Sequence, residues 1–348
     1  MQFGRGKPSA GAFYDSDFTT IDQVLAVGLL NGLQGKNDLR VAIVTMSRPN
    51  LAAVGYIDMV ERYYRGPAGN FAQVPPIGMR TVGSAGETSP AFTAPFQNAK
   101  RQNRVKTVID TGDPNTLFRN YLEAQYDQNA FFVLAGPATN LAAALDFRGM
   151  KELIAAKAKY LVAALPSSCV RADVAAARKL FAEWPTRIIV AADDVGEAAP
   201  FPGASIDKEF AGINPDNPFG DAYKAYKPMP YDAPSAALAA ALYAGRPKEE
   251  YFKVSEPGAA TVRDDGTIAF APAAQGKHQT LSVDPAQKDK IVQAYVELCS
   301  AKPVLPQRFR PPVAADGKAP DAKTPDAKAP APKPAEPKAA EPKEEIRQ

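Results

Sequence analysis

One stretch of sequence decides the fold: Phe13-Tyr14-Asp15-Ser16-Asp17, followed at once by Phe18-Thr19-Thr20-Ile21-Asp22-Gln23-Val24-Leu25-Ala26. An apolar run leads into two carboxylates, and a helical apolar pattern begins after a polar turn and a third carboxylate. In an open α/β sheet, ligands bind at such carboxyl ends of strands. Three converging carboxylates repel each other, which favours a hard cation such as Ca²⁺ or Mg²⁺. The alternative is an ordinary strand-to-helix turn in which Asp22 caps the helix.

The rest of the chain alternates short apolar runs with helical patterns. Further strands are predicted at 41–45, 106–109, 131–135, 160–163 and 187–191. Helices are predicted at 21–33, 53–64, 116–128, 140–145, 174–183, 234–243 and 285–300. Near-continuous apolar strands between helices predict an α/β fold, with a mostly parallel central sheet and helices on both faces. Residues 261–270, with their Asp-Gly turn, predict a small C-terminal β-hairpin.

The composition gives no reason to expect nucleic acid or a membrane as partner, and it does not identify the cellular compartment. A net charge of +3 over 348 residues gives no reason to expect nucleic acid or an anionic membrane. Apolar runs are short and broken by charge, so we predict no membrane insertion. Residues 1–7 lack an apolar stretch, so no secretory signal is predicted. The compartment therefore stays open between the cytoplasm and, if a leader is missing from this sequence, the periplasm or exterior.

The histidine and the cysteines narrow the chemistry further. His278 is the single histidine, which excludes a His dyad, a Ser-His-Asp triad and a multi-histidine zinc site. Its polar, glycine-containing surroundings predict a solvated loop. Cys169 and Cys299 have neither metal-site nor redox spacing, so both are predicted to be buried, apolar-like thiols.

The C-terminal part has a different composition. Residues 311–348 consist mainly of Pro, Ala, Lys, Asp and Glu, contain near-repeats such as 320–323 and 325–328, and include no aromatic residue. Such a segment buries too little apolar surface to fold, so we predict a disordered spacer. The more specific alternative is a tether to cell-envelope material. The folded domain is predicted to span 8–308.

Two further segments also place polar groups at the start of a predicted helix. In 134–142 a strand ends at a Gly-Pro turn and a helix starts, which directs the carbonyl of Ala135 out of the strand. Asn140 either serves the site or caps that helix. Asp232 precedes an Ala-rich helix, so it is either an N-cap or a metal carboxylate.

Asp15-Ser16-Asp17, 136–142 and 231–234 occur in the order seen in the inosine-uridine preferring nucleoside hydrolase family. The chain resembles a divergent bacterial branch of that family over about residues 10–305, and 175–186 and 200–206 are similar to it too. The resemblance implies one Ca²⁺ in a pocket, holding a water and the ribose diol of a nucleoside or related N-riboside. An aspartate deprotonates the water, which attacks the anomeric carbon as the glycosidic bond breaks. The family also commonly forms homo-oligomers.

The resemblance carries roles to particular residues. Asp17, Asp232 and the carbonyl of Ala135 match metal ligands, and Asp15 matches the first aspartate of the motif. Asn50 matches a ribose-contacting asparagine, although the glycine before it is absent. With Asn140 it is a candidate substrate-binding residue.

The chain departs from the family where two adjacent aspartates are usual and Ile21-Asp22-Gln23 stands instead. Aligning the apolar run 24–26 makes Asp22 the general base and puts Gln23 at a ligand position. Counting from Asp17 makes Asp22 the ligand and Ile21 the lost base. We favour the first, because a helix face shifts less easily than a loop shortens.

Two more departures concern the sugar and the leaving group. Residues 167–171 lack the glutamate and asparagine that relatives use for the ribose hydroxyls. Tyr231 stands in place of a histidine that protonates the leaving base, and a phenol with a pKa near about 10 is a poor acid. The predicted function is N-glycosidic hydrolysis with Asp22 and Tyr231 as catalytic residues. The alternative is a catalytically impaired relative that binds a sugar, a nucleoside or a protein.

Overall fold

The computed structural model describes residues 8–65, 74–211 and 216–304. All of them lie in the first of the two units of the chain, Met1–Leu305, and the second is Pro306–Gln348. The tail predicted at 311–348 lies outside the described residues, so the predicted boundaries at 8–308 and 311–348 stay predictions.

Strands and helices alternate through most of the described chain. The strands are β1 (Gly11–Ser16), β2 (Arg40–Met46), β3 (Ile77–Met79), β4 (Ala130–Ala135), β5 (Ala158–Ala164), β6 (Arg187–Ala191), β7 (Lys253–Val254), β8 (Gly258–Val262), β9 (Ile268–Pro272) and β10 (His278–Ser282). The helices are α1 (Ile21–Gly35), α2 (Leu51–Arg65), α3 (Pro114–Glu123), α4 (Thr139–Ala144), α5 (Met150–Lys157), α6 (Ser167–Ala172), α7 (Val174–Glu183), α8 (Asp193–Ala198), α9 (Pro218–Tyr226), α10 (Ala236–Gly245) and α11 (Lys288–Cys299). Shorter helical turns are Pro90–Phe92, Ala94–Gln97, Val108–Asp110, Ile206–Ala211 and Pro285–Gln287.

One central sheet organises these elements. Its strands lie in the order β3-β2-β1-β4-β5-β6-β10-β8-β9, and β7 pairs with β10. The strands from β3 to β10 in that order run parallel, whereas β8 and β9 form an antiparallel hairpin. The chain proceeds from β1 to β2 and β3 on one side, and from β4 to β6 on the other. The order therefore reverses between β1 and β4, where ligands bind in sheets of this kind.

Alternate side chains of the central strands enter two separate cores. Tyr14 of β1 packs into the core that includes α1, α10 and α11. Phe13 enters the opposite core, where its ring centroid lies 4.9 Å from that of Phe132 on β4. Because side chains alternate along a strand, this arrangement requires helices on both faces. The predicted α/β class, the mostly parallel sheet and the C-terminal hairpin are confirmed.

The structure corrects one predicted strand and the end of one predicted helix. Residues 106–109 form no strand: Val108–Asp110 is a helical turn, and Ile109 is 92% exposed. No strand among the described residues pairs with Val108 and Ile109, so local capping by Thr107 and Asp110 determines the backbone geometry of this segment. The helix predicted at 116–128 ends at Glu123.

His278 lies on β10 rather than in a solvated loop, so that prediction was wrong. Its Nδ1 accepts the backbone N–H of Ala260 at 2.8 Å, and its ring contacts the edge of Phe181. Partial burial lowers its pKa. Strand pairing with β6 and the hairpin determines its position, and no local pattern reveals such pairing. Cys169 and Cys299 are both buried free thiols, as predicted. No helix within the described ranges is both long and apolar enough to span a bilayer.

Candidate functional site

A cavity of about 370 Å³ opens at the carboxyl ends of the central strands. Its wall includes five of the predicted site residues: Asp22, Gln23, Ala135, Tyr231 and Asp232. Ala135 ends β4 directly opposite Ser16 of β1, so the parallel register itself brings the separate sequence segments together. The volume lies in the usual range for small-molecule sites.

Asp15 is fully buried at the end of β1 and is not among the described residues that line the cavity. Its Oδ1 accepts hydrogen bonds from Thr45 Oγ1 at 2.6 Å and Asn140 Nδ2 at 2.8 Å. Its Oδ2 is buried without a hydrogen-bond partner among the described residues. Burial raises the pKa of this carboxyl to about 7, against the effect of the two hydrogen bonds. A neutral acid loses less than a carboxylate when an oxygen is left unpaired.

Asp17 is paired on both of its oxygens. Oδ1 accepts hydrogen bonds from Gln23 Nε2 at 2.9 Å and Thr19 Oγ1 at 3.2 Å. Oδ2 lies 3.1 Å from a guanidinium nitrogen of Arg48. Burial raises the pKa of Asp17, and the positive charge of Arg48 opposes that rise. Gly136 allows this approach, because a methyl group there would lie 2.7 Å from the backbone N of Asp17.

Gln23 faces Asp17 with its nitrogen. Its Oε1 accepts from the backbone N–H groups of Thr19 at 2.6 Å and Thr20 at 3.1 Å. Thr20 precedes the first residue of α1, so Gln23 occupies the third helical position, where glutamine caps backbone donors. An amide oriented by two donors in this way presents hydrogens to Asp17.

Asp22 joins the cavity wall to the start of α10. Its Oδ1 accepts from Thr20 Oγ1 at 2.6 Å, and its Oδ2 accepts the backbone N–H of Ala237 at 3.0 Å. The second bond satisfies one of the free donors in the first turn of α10. Burial raises the pKa of Asp22, and both hydrogen bonds oppose that rise.

Tyr231 and Asp232 are both engaged by neighbours. The Tyr231 hydroxyl donates to the carbonyl of Tyr223 at 2.6 Å, and the two rings stack with centroids 4.4 Å apart. Lys227 lies over the Tyr231 ring, 4.6 Å from its centroid. Burial raises the pKa of the Tyr231 phenol further above its ordinary value. Asp232 is exposed, and its Oδ1 accepts the backbone N–H of Gly203 at 2.9 Å. The predicted acid thus points its proton at a carbonyl.

The two candidate substrate-binding asparagines are buried and are not among the described residues that line the cavity. Asn140 is buried and donates to Asp15, while Asn50 Oδ1 accepts the backbone N–H of Ala53 in the first turn of α2. Both side chains therefore serve local structure in this arrangement.

The structure adds site residues that the sequence analysis did not select. Arg48 follows β2, and Asp193 and Glu197 lie on α8 and line the cavity with Tyr226. Asp193 accepts the backbone N–H of Ser167 at 2.9 Å. Arg48 and Asp193 each come two residues after a strand, close to the strand-end position that selected Asp17, whereas nothing local marks Tyr226.

The donor set does not fit the calcium ion that the resemblance implies. Calcium takes six to eight oxygen ligands, yet Oδ1 of Asp17 already accepts hydrogen bonds from Gln23 and Thr19, and its Oδ2 is in an ion pair with Arg48. Gln23 directs its oxygen at the backbone and its hydrogens at Asp17. Among the described residues, no three His, Cys, Asp or Glu side chains are grouped so that they would hold a metal ion. Among the described residues, the unpaired Oδ2 of Asp15 and the carboxylates of the cavity wall are features that favour a cation.

Comparison with known proteins supports the fold. No protein-family model matches the sequence, and neither does any curated protein. Among solved structures, an inosine-guanosine nucleoside hydrolase has a TM-score of 0.63 at 15% identity, covering 83% of this chain and 98% of its own. A purine-preferring ribonucleoside hydrolase from Gardnerella vaginalis has 0.60 at 14%, covering 83% and 99%. The type III effector XopQ, complexed with adenosine diphosphate ribose, has 0.61 at 11%, covering 86% and 96%. The chain has the nucleoside hydrolase fold; membership of the inosine-uridine preferring family stays a prediction.

Proposed function

We propose that this protein binds a nucleoside or related N-riboside in the cavity at the ends of β1 and β4. The observation that carries the proposal is the pair of carboxylates, Asp22 and Asp232, on the wall of one cavity at the point where the strand order reverses. Ionised carboxylates accept hydrogen bonds only, which suits the hydroxyl groups of a ribose. Fold neighbours that are nucleoside hydrolases support the same ligand class.

The charge of the wall narrows the ligand further. Asp193 and Glu197 add two carboxylates to Asp22 and Asp232, whereas Lys227 is the one cationic side chain among the described residues of the wall. Such a wall repels a diphosphate and favours an uncharged or cationic riboside. Tyr226 and the apolar side chain of Ile21 line the same cavity and offer surface to a base.

Isothermal titration calorimetry with inosine, uridine, the cationic nicotinamide riboside and adenosine diphosphate ribose tests this proposal. We expect saturable 1:1 binding of at least one uncharged or cationic riboside, and at least about tenfold weaker binding of the diphosphate. Asp232→Asn is expected to weaken riboside binding by about tenfold, because it exchanges an acceptor for a donor. Asp264→Asn, whose side chain is 95% exposed in the hairpin turn, is the matched control. Absence of binding by every riboside would refute the proposal.

Hydrolysis of the N-glycosidic bond is the second candidate, and the position of Asp22 favours it. Burial raises the pKa of this cavity carboxylate, which makes it a better base near neutrality. In this reaction the oxygen of a water bonds to the anomeric carbon as the carbon–nitrogen bond breaks, and the proton of that water passes to Asp22. The leaving base takes its proton from solvent, because the Tyr231 hydroxyl is bound to the carbonyl of Tyr223.

Release of free base, measured by chromatography, separates the two candidates. If the protein hydrolyses its ligand, Asp22→Asn is expected to lower turnover by about 10²- to 10⁴-fold, while Tyr231→Phe changes it little. Binding of a riboside without release of free base supports the first candidate, riboside binding, and not hydrolysis. Turnover that survives Asp22→Asn would exclude Asp22 as the base.

A further inference from the structure

We propose that the chain carries its own cation at this site: the Arg48 guanidinium, together with the Gln23 amide, takes the place of a divalent metal ion beside Asp17. The inference rests on contacts within the chain and is independent of the ligand proposed above. It predicts a site whose stability and ligand binding do not depend on calcium.

The position of Arg48 is determined by the sheet. Ser47 continues the pairing of β2 with β1 by donating its backbone N–H to the Ser16 carbonyl at 2.9 Å. Arg48 therefore leaves β2 at the edge where Asp17 leaves β1. Its guanidinium lies 3.1 Å from Asp17 Oδ2, and the Asp17 side chain is 2% exposed. A buried carboxylate of this kind needs a counter-charge, and Arg48 supplies it.

Gln23 supplies an uncharged hydrogen-bond donor to the other oxygen of Asp17. Its Nε2 donates to Asp17 Oδ1 at 2.9 Å, and it also lies 4.0 Å from Cys169 Sγ. Its oxygen is held by the Thr19 and Thr20 backbone N–H groups, so a reversal of the amide would set oxygen against carboxylate and nitrogen against two donors. The helix cap thus fixes the orientation of the Gln23 amide. In this orientation Gln23 donates a hydrogen bond to Asp17 and does not offer its oxygen to a metal ion.

The combination distinguishes this site from an empty metal site. A metal site would leave its carboxylates close together without donors, so that the ion relieves their repulsion. Here Asp17 Oδ1 accepts hydrogen bonds from Gln23 and Thr19, and Asp17 Oδ2 is in an ion pair with the Arg48 guanidinium. A calcium ion would have to displace the guanidinium and would still meet the amide hydrogens of Gln23.

Calcium titration of the purified full chain tests the inference, with melting temperature and calorimetry as readouts. For the natural chain we expect no saturable calcium binding, and a melting temperature that is equal in millimolar CaCl₂ and in EDTA. Arg48→Met combined with Gln23→Asp removes the internal cation and adds a carboxylate. This double variant is expected to gain calcium binding. At about 100 times Kd, calcium multiplies its folding constant about 100-fold and raises its melting temperature by several degrees.

The matched control combines Arg48→Met with Gln102→Asp, which makes the same charge changes but places the new carboxylate at an exposed position. This control is expected to gain no saturable calcium binding. Tight 1:1 calcium binding by the natural chain would overturn the inference, as would equal calcium affinity in the control and the double variant. A folded double variant without calcium affinity also contradicts it. If the double variant does not fold, the titration of the natural chain decides.

Discussion

Replacement of Arg48 by methionine tests the pairing at the centre of the site. Two unit charges 3.1 Å apart attract by about 5 kcal/mol at an effective dielectric constant of about 20. Solvent screens part of this, because the Arg48 side chain is 31% exposed, and ordering that side chain costs about 2 kcal/mol. We therefore expect Arg48→Met to lower the free energy of unfolding by about 2 kcal/mol near pH 8.

The same reasoning predicts how this loss varies with pH. Burial raises the pKa of Asp17 and Arg48 opposes the rise, so removal of Arg48 raises the pKa further. In the variant the folded chain then holds a proton on Asp17 that the unfolded chain releases, and a neutral Asp17 needs no counter-charge. The loss should therefore shrink to about 1 kcal/mol near pH 5.

Urea denaturation at about pH 5 and pH 8 measures both values, because urea leaves charge interactions unscreened. Arg119→Met is the control, since Arg119 and Glu123 form an exposed ion pair and its loss should be within about 0.5 kcal/mol at either pH. In a double-mutant cycle with Asp17→Asn, we expect a coupling energy of about 2–3 kcal/mol. An equal loss at both pH values, or additive effects of the two substitutions, would refute the pairing.

Two further predictions concern the residues around Asp17. Gly136→Ala places a methyl group 2.7 Å from the Asp17 backbone N and should lower the free energy of unfolding by about 1–3 kcal/mol in urea. Gly220→Ala, with 3.7 Å of clearance inside α9, should be neutral or stabilising. Asp15 has its pKa raised from 3.8 to about 7, so the folded chain binds the extra proton. Its contribution to stability should fall by up to about 4 kcal/mol as pH rises from about 4 to 7. Asp15→Asn should flatten this slope in the same assay, and an unchanged slope would contradict the assignment.

The framework of the fold follows from local sequence. Apolar runs such as 131–135, set between helical patterns, predicted the parallel strands and the two helical layers, because pattern and burial agree there. Residues 106–109 show the limit, since a short β-branched run becomes a strand only if a neighbouring strand pairs with it. His278 was missed for the converse reason: its strand is created by pairing with β6.

The site was predictable in position and less so in contacts. Strand ends gave Asp15, Asp17 and Ala135, because parallel strands bring their carboxyl ends to one edge. The spacing from Thr20 to Gln23 is that of a capping box, in which the glutamine oxygen serves the backbone, but we predicted Gln23 to be a metal ligand instead. The partner of the Tyr231 hydroxyl depends on tertiary packing and has no signal in the sequence.

A crystal structure of the chain grown with CaCl₂ and a bound riboside tests the central claim most directly. We expect the ribose hydroxyls to donate hydrogen bonds to Asp22 and Asp232. We also expect the Arg48 guanidinium to remain paired with Asp17, with no calcium ion beside them. A calcium ion ligated by Asp17 and Asp232, with Arg48 turned away and the sugar bound to the ion, would contradict it.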